Sequence, residues 1–210
     1  MNAKYTKVSE YFSKTLGEAK TELKYNTPFQ LLVAVRLSAQ CTDKRVNIVT
    51  EKFFKDFPDV ESVYNADFET IYPYLKSISY PNTKIKDILG IAKMIVEEFS
   101  SKVPKNVEDL QKLPGVGPKT ANVVSSVLFG ALVMPVDTHV FRVSARLGLT
   151  KNAKTPLQAE KQLEEGFDKN LLPKAHHWLI LHGRYTCKAR NPLCKTCGLN
   201  SCCDYFNSLI

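Results

Sequence analysis

No stretch of this chain is apolar for long enough to cross a membrane. The longest candidate, residues 121–136, is broken by Asn122, Ser125, Ser126 and Pro135. The opening Met-Asn-Ala-Lys-Tyr-Thr-Lys-Val has no apolar core of the kind a secretory leader needs. No run alternates apolar and polar residues as a half-buried strand does, and there is no internal repeat or low-complexity tract. Sheet-based folds and solenoids are thereby set aside, and the expected fold class is all-α. Acidic residues are in deficit, 21 against 29 Lys and Arg, for a net charge of +8 that favours a polyanionic partner. Cysteine is scarce except at one place: five of the six fall at or beyond Cys187. Without a leader, that clustering argues for metal ligation over disulfides.

What is present reads as a succession of helices. Residues 4–22 carry Val8, Tyr11, Phe12 and Leu16 on one side. Thr27-Pro28 is a cap followed by a first-turn proline, opening a strongly apolar helix from Phe29 to Ala39. Thr42 caps the next, which runs to about Phe57. Helices follow at Asp59–Asn65 and Asp67–Lys76. Pro81 opens another, Lys84–Phe99, whose core face is Ile85, Ile88, Leu89, Ala92 and Ile95. Further helices are expected at about 138–147, 156–167 and 174–185. At 210 residues the chain is long enough for one large domain or two small ones.

The most informative stretch is Leu113-Pro-Gly-Val-Gly-Pro-Lys-Thr120. Pro114 ends a short helix, and Gly115 and Gly117 permit positive φ and a hairpin tight enough for close backbone approach. Pro118 then suits the first position of a helix through Leu128. A helix start behind two glycines offers unpaired N–H groups to a phosphate. Lys119 sits in that first turn, where the helix dipole disfavours a cation, so it is singled out as a working residue. Asp137, in Val136-Asp-Thr-His139, suits the cap of the following helix. Cys187, Cys194, Cys197 and Cys203 are separated by six, two and five residues. Four thiolates in a compact loop suit tetrahedral zinc or a 4Fe–4S cluster, and metal chemistry alone does not choose between them.

Leu113-Pro-Gly-Val-Gly-Pro-Lys-Thr-Ala-Asn-Val-Val124 and Val136-Asp-Thr-His-Val-Phe-Arg-Val143 closely resemble the helix–hairpin–helix DNA glycosylases of the endonuclease III type. The likeness extends to Leu37-Ser-Ala-Gln40 and to His177-Trp-Leu-Ile-Leu-His-Gly-Arg-Tyr-Thr-Cys187 with its three further cysteines. The resemblance implies a helical barrel domain over 22–131, with the hairpin motif at about 108–128. It also implies an iron–sulfur cluster domain from 1–21 and 132–210, built by both chain ends. The four-cysteine spacing matches the family's loop at every gap, so the implied cofactor is a 4Fe–4S cluster with a structural role. Lys188, Arg190 and Lys195 lie on that loop, where the family contacts DNA phosphates. Gln40 matches the residue that fills the space left by an extruded nucleotide. Ser79-Tyr80-Pro81-Asn82 stands where the family commonly has Gly, an apolar wedge and then Tyr-Asn, and Tyr80 would be the wedge. Gly115 and Gly117 would approach the DNA backbone, and His139 the strand or the extruded base.

The activity implied is that of a bifunctional DNA glycosylase and AP lyase of base excision repair, removing oxidised pyrimidines from double-stranded DNA. Lys119 would be the nucleophile and Asp137 the proton acceptor. The expected setting is the cytoplasm, at the nucleoid, with the protein acting as a monomer. Two rival readings share part of this pattern. A monofunctional adenine mismatch glycosylase shares the hairpin, aspartate and cysteine loop but lacks a lysine where this chain has Lys119. A non-catalytic helix–hairpin–helix DNA-binding protein leaves Lys119, Asp137 and the cysteines without purpose.

Overall fold

Local capping sets most of the helix boundaries. The structure, a computed structural model, describes residues 3–209, and among them it contains twelve α-helices and no strand. Inter-residue contacts divide the chain into two units, Glu22–Phe129 and a second unit made from both ends, up to Thr21 and from Gly130 onward.

The Glu22–Phe129 unit begins with α2 (Pro28–Ser38), preceded in the chain by α1 (Ala3–Thr15). Thr27 caps α2 by accepting the Gln30 N–H, and Thr42 does the same for Arg45 at the start of α3 (Asp43–Asp56). The short α4 (Val60–Tyr64) and α5 (Phe68–Leu75) start at Asp59 and Asp67, whose carboxylates accept the Ser62 and Thr70 N–H groups. The long α6 (Pro81–Glu98) starts at Pro81, and α7 (Val107–Lys112) and α8 (Pro118–Phe129) close the unit. All but three residues of α2 have their side chains buried, which is why its sequence shows no polar face. Around α2 the core gathers Phe53, Val63, Ile71, Leu75, Ile85, Ile88, Ile95, Leu110 and Val124.

In the other unit α1 packs on α11 (Leu172–Tyr185), beside α9 (Thr138–Leu147) and α10 (Pro156–Gly166). Its core holds Val8, Phe12, Val140, Val143, Leu163, Leu179 and the chain's single tryptophan, Trp178, whose indole N–H donates to the Gly17 carbonyl at 2.9 Å. The chain then runs through short 3₁₀ turns to α12 (Asp204–Asn207).

The first helix is shorter than its apolar pattern predicts. It ends at Thr15, because Gly17 takes a left-handed conformation with φ +52° and returns its N–H to Phe12. Among the described residues, no helix is long and apolar enough to cross a membrane.

Candidate active site and cysteine cavity

The hairpin between α7 and α8 is anchored by its apolar residues and leaves its polar ones outside. Leu110, Leu113, Val116 and Ala121 are buried, while Gly115, Gly117, Pro118 and Lys119 are exposed. Gly115 has φ +70° and rests on an ion pair between Arg36 of α2 and Asp87 of α6, whose Nε–Oδ2 distance is 2.9 Å. A Cβ on Gly115 would lie 2.4 Å from that Nε and 2.5 Å from that Oδ2. Gly117 departs from the expectation of positive φ: its backbone is not left-handed, and a Cβ there would meet nothing within 4 Å. It precedes Pro118, and the proline ring restricts the preceding residue to extended backbone. Ala121 is the first residue of α8 whose N–H returns to a carbonyl outside the helix, that of Gly117 at 3.0 Å. Among the described residues, the N–H groups of Lys119 and Thr120 before it take no backbone partner, so the exposed Lys119 stands beside open donors at a positive helix end.

Asp137 is the N-cap of α9. Its Oδ1 accepts the His139 and Val140 N–H groups, both at 2.8 Å, and its Oδ2 lies 3.2 Å from His139 Nδ1. The cap holds the carboxylate in one orientation with its side chain 16% exposed. The segment entering it is pinned on two sides. The Met134 N–H donates to Glu164 at 3.1 Å, and the buried His176 ring lies 2.8 Å from the Pro135 carbonyl. Nothing local in the sequence names the partner of His176, and only tertiary placement shows what it holds.

Gln40 and Tyr80 lie in different connections that the structure brings together. Both are exposed and both have left-handed backbones, with φ of 53° and 54°. The Ser79 hydroxyl donates to the Gln40 carbonyl at 2.7 Å.

The four predicted cysteines line one cavity of about 320 Å³, its open mouth included, together with Leu147, Pro192, Leu193 and Phe206. Burial pushes the Cys197 and Cys203 thiols above their ordinary range, and the nearby cysteines push the same way. Cys203 is 8% exposed; Cys202, its neighbour, does not line the cavity. Among the described residues, no three His, Cys, Asp or Glu side chains converge tightly enough to hold a single ion. Two arginines of α9 that the sequence reading passed over hold the loop in place. Arg142 donates to the Gly183 and Cys187 carbonyls at 2.9 and 3.2 Å, and Arg146 to those of Lys188 and Ala189 at 2.7 and 3.2 Å. Their four-residue spacing puts both on one helix face, the only hint of this in the sequence. The side chains of Lys188, Arg190 and Lys195 remain exposed.

Comparison with known proteins identifies the family. Residues 33–169 match the HhH-GPD superfamily of base excision DNA repair proteins. Endonuclease III of Rickettsia felis is 47% identical over 97% of this chain and 95% of its own length. Endonuclease III of Bacillus subtilis is 45% identical over 88% of this chain and 84% of its own. The structure of a trapped endonuclease III–DNA covalent intermediate superposes with a TM-score of 0.92 at 37% identity, covering 100% of this chain and 99% of that one. The exposed hairpin, the capped aspartate and the cysteine loop are therefore features of a chain that belongs to the endonuclease III family of helix–hairpin–helix base excision repair proteins.

Proposed function

We propose that the protein is a bifunctional DNA glycosylase and AP lyase that removes oxidised or ring-saturated pyrimidines from double-stranded DNA, with Lys119 as nucleophile and Asp137 as its proton acceptor. The observation that carries this reading is Lys119 itself, exposed in the first turn of α8 beside open N–H donors, in a chain of this family. The reacting glycosidic bond is inaccessible inside a duplex, so the nucleotide is first extruded. The neutral Lys119 amine attacks C1′, and the base departs with the bond electrons and takes up a proton. The sugar ring opens to a Schiff base on Nζ. Loss of the 2′ proton then expels the 3′ phosphate, and water hydrolyses the imine to release the enzyme.

Asp137 accepts the amine proton and stabilises positive charge developing on the sugar. Its Oδ1 accepts the His139 and Val140 N–H groups and its Oδ2 lies beside the His139 ring, which fixes the orientation of the carboxylate. The hairpin N–H groups receive a phosphate. Gln40 and Tyr80 occupy the space that extrusion leaves, Lys188 and Arg190 contact the backbone, and His139 faces the strand.

Cys187, Cys194, Cys197 and Cys203 would hold a 4Fe–4S cluster. They share one cavity without converging on a point. Four thiols lining one cavity fit either group, and the family's cysteine spacing is what favours the cluster. When bound it supplies a covalent cross-link for the loop that carries Lys188 and Arg190, and no step of the reaction.

The test is borohydride trapping on a duplex carrying one thymine glycol. Wild type forms a covalent adduct; Lys119→Gln still binds the DNA but forms none, and Asp137→Asn forms it far more slowly. Base release by wild type with no adduct would place the protein among monofunctional glycosylases. Tight binding with neither event would leave a DNA-binding module.

A further inference from the structure

Lys84 is the most deeply buried charged side chain described, 1% exposed, and its partners are three neutral oxygens. Its ammonium donates to the Leu37 and Ala39 carbonyls at 2.8 and 2.6 Å and to the Ser79 hydroxyl at 3.2 Å. Those carbonyls belong to the end of α2, where helix geometry leaves acceptors without partners. The Ser79 hydroxyl in turn donates to the Gln40 carbonyl at 2.7 Å, and Arg45 Nε reaches the Ser77 carbonyl at 3.4 Å. Burial lowers the ammonium's pKa from its ordinary value. An apolar residue would fit this core position at less cost, since Ile85 and Ile88 beside it are fully buried.

What the ammonium ties together are the two connections that carry Gln40 and Tyr80. Both residues sit in left-handed backbone, which a non-glycine residue holds only when its surroundings enforce it. Tyr80 stands at the N-cap of α6 yet makes no side-chain cap, and it is 65% exposed. Neither side chain serves the fold by any hydrogen bond among the described residues. Strained backbone beneath an exposed, unengaged side chain is the pattern of a prepared contact.

We infer that Lys84 and Ser79 are positioning residues for nucleotide extrusion, locking the Gln40 and Tyr80 connections into one rigid two-pronged element. This rests on the glycosylase reading above. A gap in a base stack collapses quickly, so whatever fills it must be ordered before the nucleotide leaves. Ser79 stands where the family commonly has glycine, so in this chain a hydroxyl joins the two prongs directly.

The experiment separates extrusion from chemistry. Ser79→Ala, Ser79→Thr and Lys84→Met are bound to a thymine glycol duplex with 2-aminopurine opposite the lesion, and the fluorescence rise is timed at saturating enzyme. Adduct formation is measured in parallel on a single-stranded abasic oligonucleotide, which needs no extrusion. The expected result is a fluorescence rise about tenfold slower in Ser79→Ala and Lys84→Met, with trapping on the single strand within about twofold of wild type and near-normal extrusion in Ser79→Thr. Equal losses on both substrates would reduce the two residues to general fold support. An unchanged fluorescence rise in folded Ser79→Ala would overturn the inference outright. If wild type traps no adduct on any substrate, the catalytic reading fails, while the fluorescence arm still decides whether the prongs are locked.

Discussion

Adding one methyl group at Gly115 or at Gly117 should have opposite consequences. At Gly115 the new Cβ would have to adopt φ +70° and would lie 2.4 Å from Arg36 Nε and 2.5 Å from Asp87 Oδ2. Left-handed backbone costs alanine about 1–2 kcal/mol. The ion pair beneath, with side chains 13% and 17% exposed, must also be pushed apart. Removing one partner of such a pair outright costs about 3–5 kcal/mol, and displacement forfeits part of that. The expected loss for Gly115→Ala is therefore about 3–5 kcal/mol, or about 6–20 °C in Tm for a chain of this size. Gly117→Ala meets open space and needs no positive φ, so its stability should stay within about 0.5 kcal/mol of wild type. Its methyl group instead stands between the backbone N–H groups and a phosphate. Losing one charge-assisted hydrogen bond of about 1.5–3 kcal/mol weakens DNA binding by roughly ten- to a hundredfold. Thermal unfolding and fluorescence anisotropy on a lesion duplex measure the two quantities separately. A Gly115→Ala protein melting within a degree or two of wild type would refute the clash argument. A Gly117→Ala protein as unstable as Gly115→Ala would refute the division of roles.

Other consequences are equally concrete. Cys203→Ser should lose iron and the visible absorbance of the cluster, whereas Cys202→Ser keeps both, because only Cys203 lines the cavity; iron content per chain decides it. Burial, aided by Arg184, lowers the His177 pKa to about 4, so the folded state resists a proton that the unfolded chain accepts below about 6.5. Stability is then undiminished above about pH 6.5 and drains as pH falls toward 4, by up to about 1.4 kcal/mol per pH unit. His177→Gln should reduce the pH dependence of urea midpoints across that window, and parallel curves for the two proteins would exclude the effect. The Tyr5 phenol, pushed up to about 12 chiefly by burial, stays protonated to donate to the Leu149 and Gln162 carbonyls at 2.7 and 3.1 Å. Tyr5→Phe leaves buried acceptors without their donor and should lower stability by about 1–3 kcal/mol in urea unfolding.

Much of the fold was legible because its signals are local. Thr27, Thr42, Asp59, Asp67 and Asp137 each cap the helix that their sequence context announces, and Pro28, Pro81 and Pro118 each open one. The chain's own residue types therefore decided where most helices begin, since a cap bonds only to N–H groups two or three residues away. The end of α1 was misjudged because Phe12 and Leu16 continue an apolar pattern that the left-handed Gly17 interrupts. Gly117 was assigned a freedom it does not use, because Pro118 constrains it.

What only the tertiary structure decided depends on groups far apart in the chain. Lys84 stands at an expected helix start, and nothing local says that carbonyls from 37 and 39 will surround it. Nothing near Arg142 and Arg146 in the chain announces their partners, which are carbonyls more than forty residues on. Cys202 and Cys203 are chemically identical neighbours; the family spacing already singles out Cys203, and the fold adds that Cys203 lines the cavity and Cys202 does not. Local sequence determined the helices and the residue types capable of chemistry. Long-range packing alone determined which backbone groups needed a partner and which side chain could reach them, because a buried polar group is satisfied in three dimensions rather than along the chain.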